Sequence, residues 1–278
     1  MKTLYVSDLD GTLLTSQKNI SEYSKKTINA LIDDGMIFTY ATARSLSSAS
    51  KVVKGIDFTT PIVAYNGAHI FHPQTGERIA SEGFSQGEID SVKAIMEKHN
   101  LVPLVYSFVQ EKETVSWVRG TETKGVLKYI DDRKADKRMR GLDTCENLYE
   151  GEIFYFTCIG KKEMFEAAYK EIREDERYTC TLQAEPYDKN EYWLEIMPRK
   201  ASKANAIVKL KAILGCDRVV SFGDAINDMP MFRISDECYA MENAVDGLKE
   251  IATGVIAGNN EDGVAIWLEQ NVNIVNKK

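Results

Sequence analysis

Cysteine is scarce and scattered in this chain. Cys145, Cys158, Cys180, Cys216 and Cys238 are odd in number and form no Cys-x-x-Cys pair, which excludes a disulfide framework or a cysteine zinc site as the organising element. Histidine is scarcer still. His69 and His72 flank Ile70-Phe71 just before the turn Pro73-Gln74-Thr75-Gly76, a spacing that reads as a β-hairpin rather than a metal site, and His99 stands alone. No apolar run approaches the ~18 residues that a membrane helix needs, so no membrane association is expected. Asp8 and Asp10 interrupt the stretch that a secretory signal would keep apolar, so no signal peptide is expected either. With reduced thiols, a cytoplasmic setting is the simplest expectation. Basic residues are outnumbered 35 to 42, and the net charge of −7 argues against broad binding to nucleic acid or anionic lipid. The basic run Arg133-Lys134 and Lys137-Arg138-Met139-Arg140 is interspersed with acids (Asp131, Asp132, Asp136) and lacks interleaved aromatics, so a solvated surface face is expected there. Internal repeats and low-complexity tracts are absent, and no obligate protein partner is evident.

What is present is an ordinary globular composition, 44% hydrophobic and 28% charged, over 278 residues, enough for one large or two moderate domains. The first third alternates strand and helix signals. Leu4-Tyr5-Val6 reads as a strand; Ser21 can cap a helix with apolar Ile28, Leu31 and Ile32, stopped by Gly35. Met36–Ala41 and Pro61–Tyr65 read as buried strands around a short helix near Leu46–Val53. The last third resumes that rhythm: a helix from Ser202 to Leu214 stopped by Gly215, a strand Arg218–Phe222, short units near Cys238–Ala240 and Gly254–Ile256, and a final helix holding Val264, Ile266, Trp267 and Leu268. Short connections of this kind imply a parallel sheet with right-handed crossovers. The middle differs: helices near Glu88–His99 and Met164–Arg173 are mixed with strand-like segments at 101–106, 152–157, 178–182 and 192–197. The expected fold is α/β, a Rossmann-like parallel-sheet core in two halves (1–82 and 199–278) with an inserted α+β domain at 83–198.

The most specific feature is Asp8-Leu9-Asp10-Gly11-Thr12-Leu13-Leu14, directly after the first strand. A strand alternates faces with period two, so Asp8 and Asp10 are expected to point the same way at its carboxyl end. Two such acids need a cation or a shared proton. The arrangement suits phosphoryl transfer, in which one carboxylate attacks phosphorus, the other protonates the leaving alkoxide, and Mg²⁺ neutralises the anions. An acidic turn is the bland alternative, but the full Asp-x-Asp-Gly-Thr recurs by chance at on the order of one start in 10⁵.

Three further segments supply what that chemistry requires, each at a strand end or helix start, where open α/β sheets bind ligands. Thr42-Ala43 offers a hydroxyl and backbone N–H groups for phosphate oxygens. Lys203, at a helix start, can neutralise a phosphate and a nucleophilic carboxylate. In Gly223-Asp224-Ala225-Ile226-Asn227-Asp228, one helical turn brings Asp224 and Asp228 to one side with Asn227 beside them, a set of hard oxygen ligands suited to Mg²⁺. Taken singly, each would read as a helix cap, a solvated lysine or an exposed acidic turn.

Together these segments resemble the haloacid dehalogenase superfamily, specifically the Cof-like hydrolases. The resemblance covers essentially the whole chain: Asp8–Leu14, Ala41-Thr42-Ala43-Arg44, Tyr65-Asn66-Gly67-Ala68, Lys203, Phe222-Gly223-Asp224 with Asn227-Asp228, Glu242-Asn243-Ala244 and Glu261-Asp262-Gly263-Val264-Ala265. It implies that the inserted domain is a mobile cap that contacts the leaving group, Asp8 the nucleophile and Asp10 the general acid/base. It further implies phosphate or substrate contacts from Leu9, Thr42, Ala43, Lys203 and Asn227, and Mg²⁺ on Asp8, the Asp10 carbonyl and Asp224, with Asp228 in support. Its substrates are phosphate monoesters of small metabolites such as sugar phosphates. Ala43 and Ala204 replace glycines usual in the family; both positions work through backbone N–H groups, which alanine keeps. A phosphomutase or a non-catalytic sugar-phosphate sensor would use the same residues. The aromatics of the insert (Tyr106, Trp117, Tyr155, Tyr187, Tyr192, Trp193) are expected to be mostly core.

Acids gathered in this number around a phosphate dianion predict total metal dependence. Chelation with EDTA should abolish phosphatase activity and added Mg²⁺ restore it; full turnover at verified zero metal content would contradict the arrangement.

Overall fold

The computed structural model describes residues 1–185 and 188–272. Along the chain run β1 (Thr3–Ser7), α1 (Glu22–Asp33), β2 (Ile37–Tyr40), α2 (Leu46–Val52), β3 (Ile62–Ala64), β4 (His69–Phe71) and β5 (Arg78–Ser81). Then come α3 (Gln86–Lys98), β6 (Leu104–Val109), β7 (Lys112–Val118), α4 (Lys124–Asp131), β8 (Met139–Leu142), β9 (Glu152–Gly160), α5 (Lys162–Arg173), β10 (Tyr178–Glu185) and β11 (Asp188–Pro198). The last part holds α6 (Lys203–Leu214), β12 (Arg218–Gly223), α7 (Met229–Ile234), β13 (Glu237–Met241), α8 (Asp246–Ile251), β14 (Gly254–Ile256) and α9 (Gly263–Asn271). Tyr187 lies outside the described residues. Two compact units result: Met1–Ser81 together with the chain from Ala201 onward, and Glu82–Lys200.

In the first unit a parallel sheet runs in the order β14-β13-β12-β1-β2. β1 sits between a strand from its own half and β12 from the far half, so the loop after β1 emerges mid-sheet. The strands are apolar on both faces, as a helix-covered parallel sheet demands: Leu4, Val6, Phe38, Val219 and Phe222 are all buried. Trp267 of α9 packs edge-on against Phe222 and tilts over Tyr239, closing one face. Ser21 caps α1 by accepting the Ser24 N–H, and Ser202 caps α6 through the Asn205 N–H. Gly215 ends α6 in the left-handed region, as the helix-stop reading requires.

One sequence expectation needs correcting. β3 is not a full member of the parallel sheet; it touches β2's end only through a bridge at Ala41 and Val63, and pairs antiparallel with β4 in a separate sheet β3-β4-β5. The cause is local: Tyr65, Asn66 and Gly67 all have positive φ and turn the chain back after three strand residues. The His69–His72 region is the expected hairpin arm. His69 itself is buried, against the rings of Tyr65 and Phe71.

The second unit carries a six-stranded sheet, β10-β11-β9-β6-β7-β8, antiparallel except for the β7–β8 pair. Its core sets Val105, Phe156, Cys158, Leu194 and Ile196 against Val92 and Met96 of α3 and Phe165, Ala168 and Ile172 of α5. Each of the larger aliphatic and phenylalanine side chains among them contributes about 1.5–3 kcal/mol of burial. Sequence reasoning missed β7, α4 and β8. Of the aromatics expected in the core, Tyr106 and Tyr155 are buried; their hydroxyls bond the Tyr129 hydroxyl and the Glu195 carboxylate. The basic run is not simply solvated: Arg138 is 17% exposed and forms ion pairs with Asp136 and Glu113, while the Arg133 guanidinium lies 3.7 Å over the Tyr129 ring. No helix among the described residues is long and apolar enough to cross a membrane.

Burial, with help from Arg78, pushes the His69 imidazole down to about 3. Its folded pKa therefore lies below the unfolded value of about 6.5, so unfolded chains take up a proton first as pH falls. Stability should fall with pH from about 6.5 toward 3, and this residue's share should reach about 2 kcal/mol at pH 5. Urea unfolding of the parent and His69→Leu between pH 5 and 7.5 checks this: the parent should lose more stability on acidification, and parallel curves would refute it.

Candidate active site

The site lies at the carboxyl ends of β1, β2 and β12 and the start of α6. β1 ends at Ser7, so Asp8 and Asp10 are not alternate residues of one strand, contrary to the sequence expectation. They belong to a tight turn in which the Asp8 N–H bonds the Phe222 carbonyl and the Leu13 and Leu14 N–H groups return to the Asp8 and Leu9 carbonyls. Gly11 makes the turn possible with φ +76, and a Cβ there would stand 2.3 Å from Asp224 Oδ2. The two aspartates consequently occupy different surroundings.

Asp8 is buried, and its Oδ1 lies 2.8 Å from Lys203 Nζ. The same ammonium, with its side chain 1% exposed, donates to Asp228 Oδ1 at 2.7 Å. Burial pushes the Asp8 carboxyl up to about 7 against the pull of Lys203, and the Asp228 charge adds to the rise. Burial would depress the Lys203 ammonium, but Asp8 and Asp228 outweigh it and its pKa is raised. α6 can begin this deep because Gly67, at φ +101, faces it: a Cβ on Gly67 would sit 2.1 Å from the Ser202 carbonyl oxygen.

Asp228 is fully buried. Its Oδ2 accepts the N–H groups of Asp224 and Ala225 at 3.1 Å each, which fixes the turn after β12. Asp224 Oδ1 accepts the Thr12 hydroxyl at 2.7 Å. Burial raises the Asp224 carboxyl to about 6, with Thr12 pulling the other way and Asp228 adding to the shift. Oxygens of Asp8, Asp224 and Asp228 all lie within 4.8 Å of one another. This donor set fits a small hard cation. The Lys203 ammonium is shared between Asp8 and Asp228, and burial pushes the Asp8 and Asp224 carboxyls upward, which a bound cation would offset. Both Asp228 oxygens are engaged, Oδ1 by Lys203 and Oδ2 by the Asp224 and Ala225 N–H groups.

Asp10 lies at the rim, its side chain half exposed. Arg44 grips it at two points, Nε to Oδ2 at 2.6 Å and the terminal nitrogen to Oδ1 at 2.5 Å, while also donating to Ser48 Oγ. Thr42 is buried at the end of β2; its hydroxyl oxygen accepts the Arg44 N–H, and its carbonyl accepts the Asn66 N–H. Ala43 is exposed beside it. The Leu9 side chain is core, so only its backbone can serve the site, and its N–H bonds the Asp8 carboxylate. Asn227 is exposed, with its amide 3.4 Å from Asn66 Oδ1. Sequence reasoning assigned no role to Arg44 or Thr12. Arg44 was discoverable from its place two residues after Thr42; Thr12 sits inside the quoted motif, but its partner is distant in sequence.

A family model for haloacid dehalogenase-like hydrolases matches residues 5–268, and the chain belongs to that family. Within it the chain is a phosphatase, a hydrolase of phosphoric monoesters. A 5-amino-6-(5-phospho-D-ribitylamino)uracil phosphatase of Bacillus subtilis is 30% identical over 281 residues, spanning 96% of each chain. A second 5-amino-6-(5-phospho-D-ribitylamino)uracil phosphatase from that organism is 27% identical, spanning 95% of this chain and 96% of its own. A haloacid dehalogenase-like hydrolase from Bacteroides thetaiotaomicron shares the fold with a TM-score of 0.77 at 23% identity, over 98% of this chain and all of the other.

Removing Lys203 should leave buried acids uncompensated. Lys203→Met is expected to cost about 3–5 kcal/mol in metal-free buffer at pH 8. Adding Asp228→Asn should return at least about 1 kcal/mol, because the pair is coupled. Urea denaturation of the single and double variants measures both; additive losses would show that the three groups do not act together.

Proposed function

We propose that this phosphatase hydrolyses the phosphate monoester of a small polyhydroxylated metabolite, with Mg²⁺ and through an aspartyl-phosphate on Asp8. The observation that carries the reading is the placement of Asp8: a buried carboxylate oriented by the Lys203 ammonium, within reach of Asp224, at the end of the central strand. An Asp8 oxygen attacks phosphorus in line, forming the acyl phosphate as the bond to the alkoxide breaks. Asp10 protonates the departing oxygen. Asp10 then takes a proton from water, whose oxygen attacks phosphorus, releasing inorganic phosphate and restoring Asp8. Since Arg44 engages both Asp10 oxygens, proton delivery requires that one of those hydrogen bonds be released.

Lys203 and the Thr42 hydroxyl with the Ala43 N–H are the groups assigned to the phosphoryl oxygens, with Asn227 at the rim. Mg²⁺ on Asp8, the Asp10 carbonyl and Asp224 would neutralise the charge that these acids share with the substrate. For the organic moiety, the Bacillus relatives suggest phosphorylated ribityl or sugar compounds as the first substrates to try. A 30% likeness supports the class rather than one compound.

Asp8→Asn should abolish turnover while leaving the fold intact, as circular dichroism would report; activity within tenfold of the parent would sink the nucleophile assignment. Asp10→Asn should lose ~10²–10⁴-fold on sugar and polyol phosphates. Its loss should be much smaller on p-nitrophenyl phosphate, whose leaving group needs no proton. Equal losses on both esters would contradict the acid role. A panel including 5-amino-6-(5-phospho-D-ribitylamino)uracil, hexose phosphates and nucleotides tests the substrate class, and a preference for nucleotides would overturn it.

A further inference from the structure

Asn243 and Asn259 lie outside the assigned chemistry, yet both reach into the turn that carries it. The Asn243 amide donates to the Gly11 carbonyl at 2.8 Å. Its Oδ1 accepts the Asn259 N–H at 3.0 Å, and the Asn259 amide donates to the Leu14 carbonyl at 2.8 Å in a buried setting. Two residues beyond Asn243, the Val245 N–H donates to the Asp224 carbonyl at 2.9 Å. One short segment therefore holds both sides of the acidic cluster: the Asp8–Leu14 turn through Gly11, and the Asp224 strand end through Val245.

The consequence is geometric. Gly11 stands between Asp10, whose carbonyl is an assigned ligand, and Thr12, whose hydroxyl orients Asp224. Holding the Gly11 carbonyl fixes the Gly11–Thr12 peptide plane, which sets the direction of Thr12 toward Asp224 and anchors the turn one residue from the Asp10 carbonyl, and hence restrains the spacing of the oxygen donors. Mg²⁺ demands oxygens at about 2.1 Å in a rigid array, whereas Ca²⁺ takes them at about 2.3–2.6 Å and tolerates irregular ones.

We propose that Asn243 and Asn259 are positioning residues for cation selectivity, holding the donors at the separation that favours Mg²⁺ over Ca²⁺. The proposal rests on the Mg²⁺ reading above. Outer-shell groups that orient metal ligands commonly account for about 10–100-fold in affinity. Loosening the turn takes away more from the exacting small ion than from the tolerant large one, so the affinity ratio, and not just the affinity, should move.

The test is calorimetric titration of the full-length, substrate-free protein with MgCl₂ and with CaCl₂. Asn243→Ala should weaken Mg²⁺ binding by about 10–100-fold while Ca²⁺ binding changes little, so the Mg²⁺/Ca²⁺ ratio falls at least tenfold. Asn259→Ala should act in the same direction, and the double variant should add little. Asn260→Ala serves as the control, since Asn260 bonds Ser16 beyond the ligand-bearing turn; its ratio should match the parent's. If Asn259→Ala does not fold, the exposed Asn243 carries the test. Equal losses for both ions, or no loss, would overturn the selectivity role while leaving the Mg²⁺ reading intact. A parent protein that binds neither ion would overturn that reading and this one with it.

Discussion

A single buried ammonium sets the terms for the first unit. Removing Lys203 from water carries a penalty of several kcal/mol, which only close and well-aligned anions can offset. Asp8 and Asp228 supply them at 2.8 and 2.7 Å. Because the three groups come from the end of β1, the start of α6 and the turn after β12, that one charge requirement ties three elements together. Other details follow from it. Gly67 must lack a side chain for α6 to start so deep, and Gly223 must lack one because a Cβ would lie 2.8 Å from Asp228. The second oxygen of Asp228 is then free to close the turn that presents Asp224.

The same residue type is given two characters by its surroundings. Asp8 is dry and pressed against one cation; Asp10, two residues on, is wetted and clamped by a guanidinium. Under the proposed mechanism this contrast in surroundings would divide attack from proton transfer. The contrast arises from a turn that the strand's periodicity does not describe.

Much of the architecture is readable from local chemistry. Ser21 and Ser202 before apolar helical runs, Gly35 and Gly215 after them, and short β-branched stretches between them locate most core elements within a few residues. Where reading failed, the controlling interaction was not local. β7 follows β6 through Gln110 and Glu111, both at positive φ without a glycine, so the usual hairpin signal is missing. β3 leaves the parallel sheet because three consecutive positive-φ residues follow it, a feature that Asn66-Gly67 hints at but Tyr65 does not. In the site, strand ends and helix starts were legible because the elements that bear them are. The grip of Arg44 on Asp10 and the reach of Asn243 to Gly11 depend on loop paths, and no spacing in the sequence announces a contact across 232 positions.

The order of strands has a consequence for how the molecule comes into being. β1, made first, pairs with β12, whose residues follow some two hundred positions later, and the whole of the second unit is synthesised in between. During translation the growing chain holds the Asp8 turn with neither Lys203 nor Asp224 yet available, and with one flank of β1 unpaired. The second unit, whose core is drawn from one continuous stretch, can close on its own in that interval. The first must wait for β12, its exposed strand flank meanwhile a surface open to wrong pairings. High sequence separation of this kind also slows refolding. The site is thus completed only after the whole of the second unit has been made.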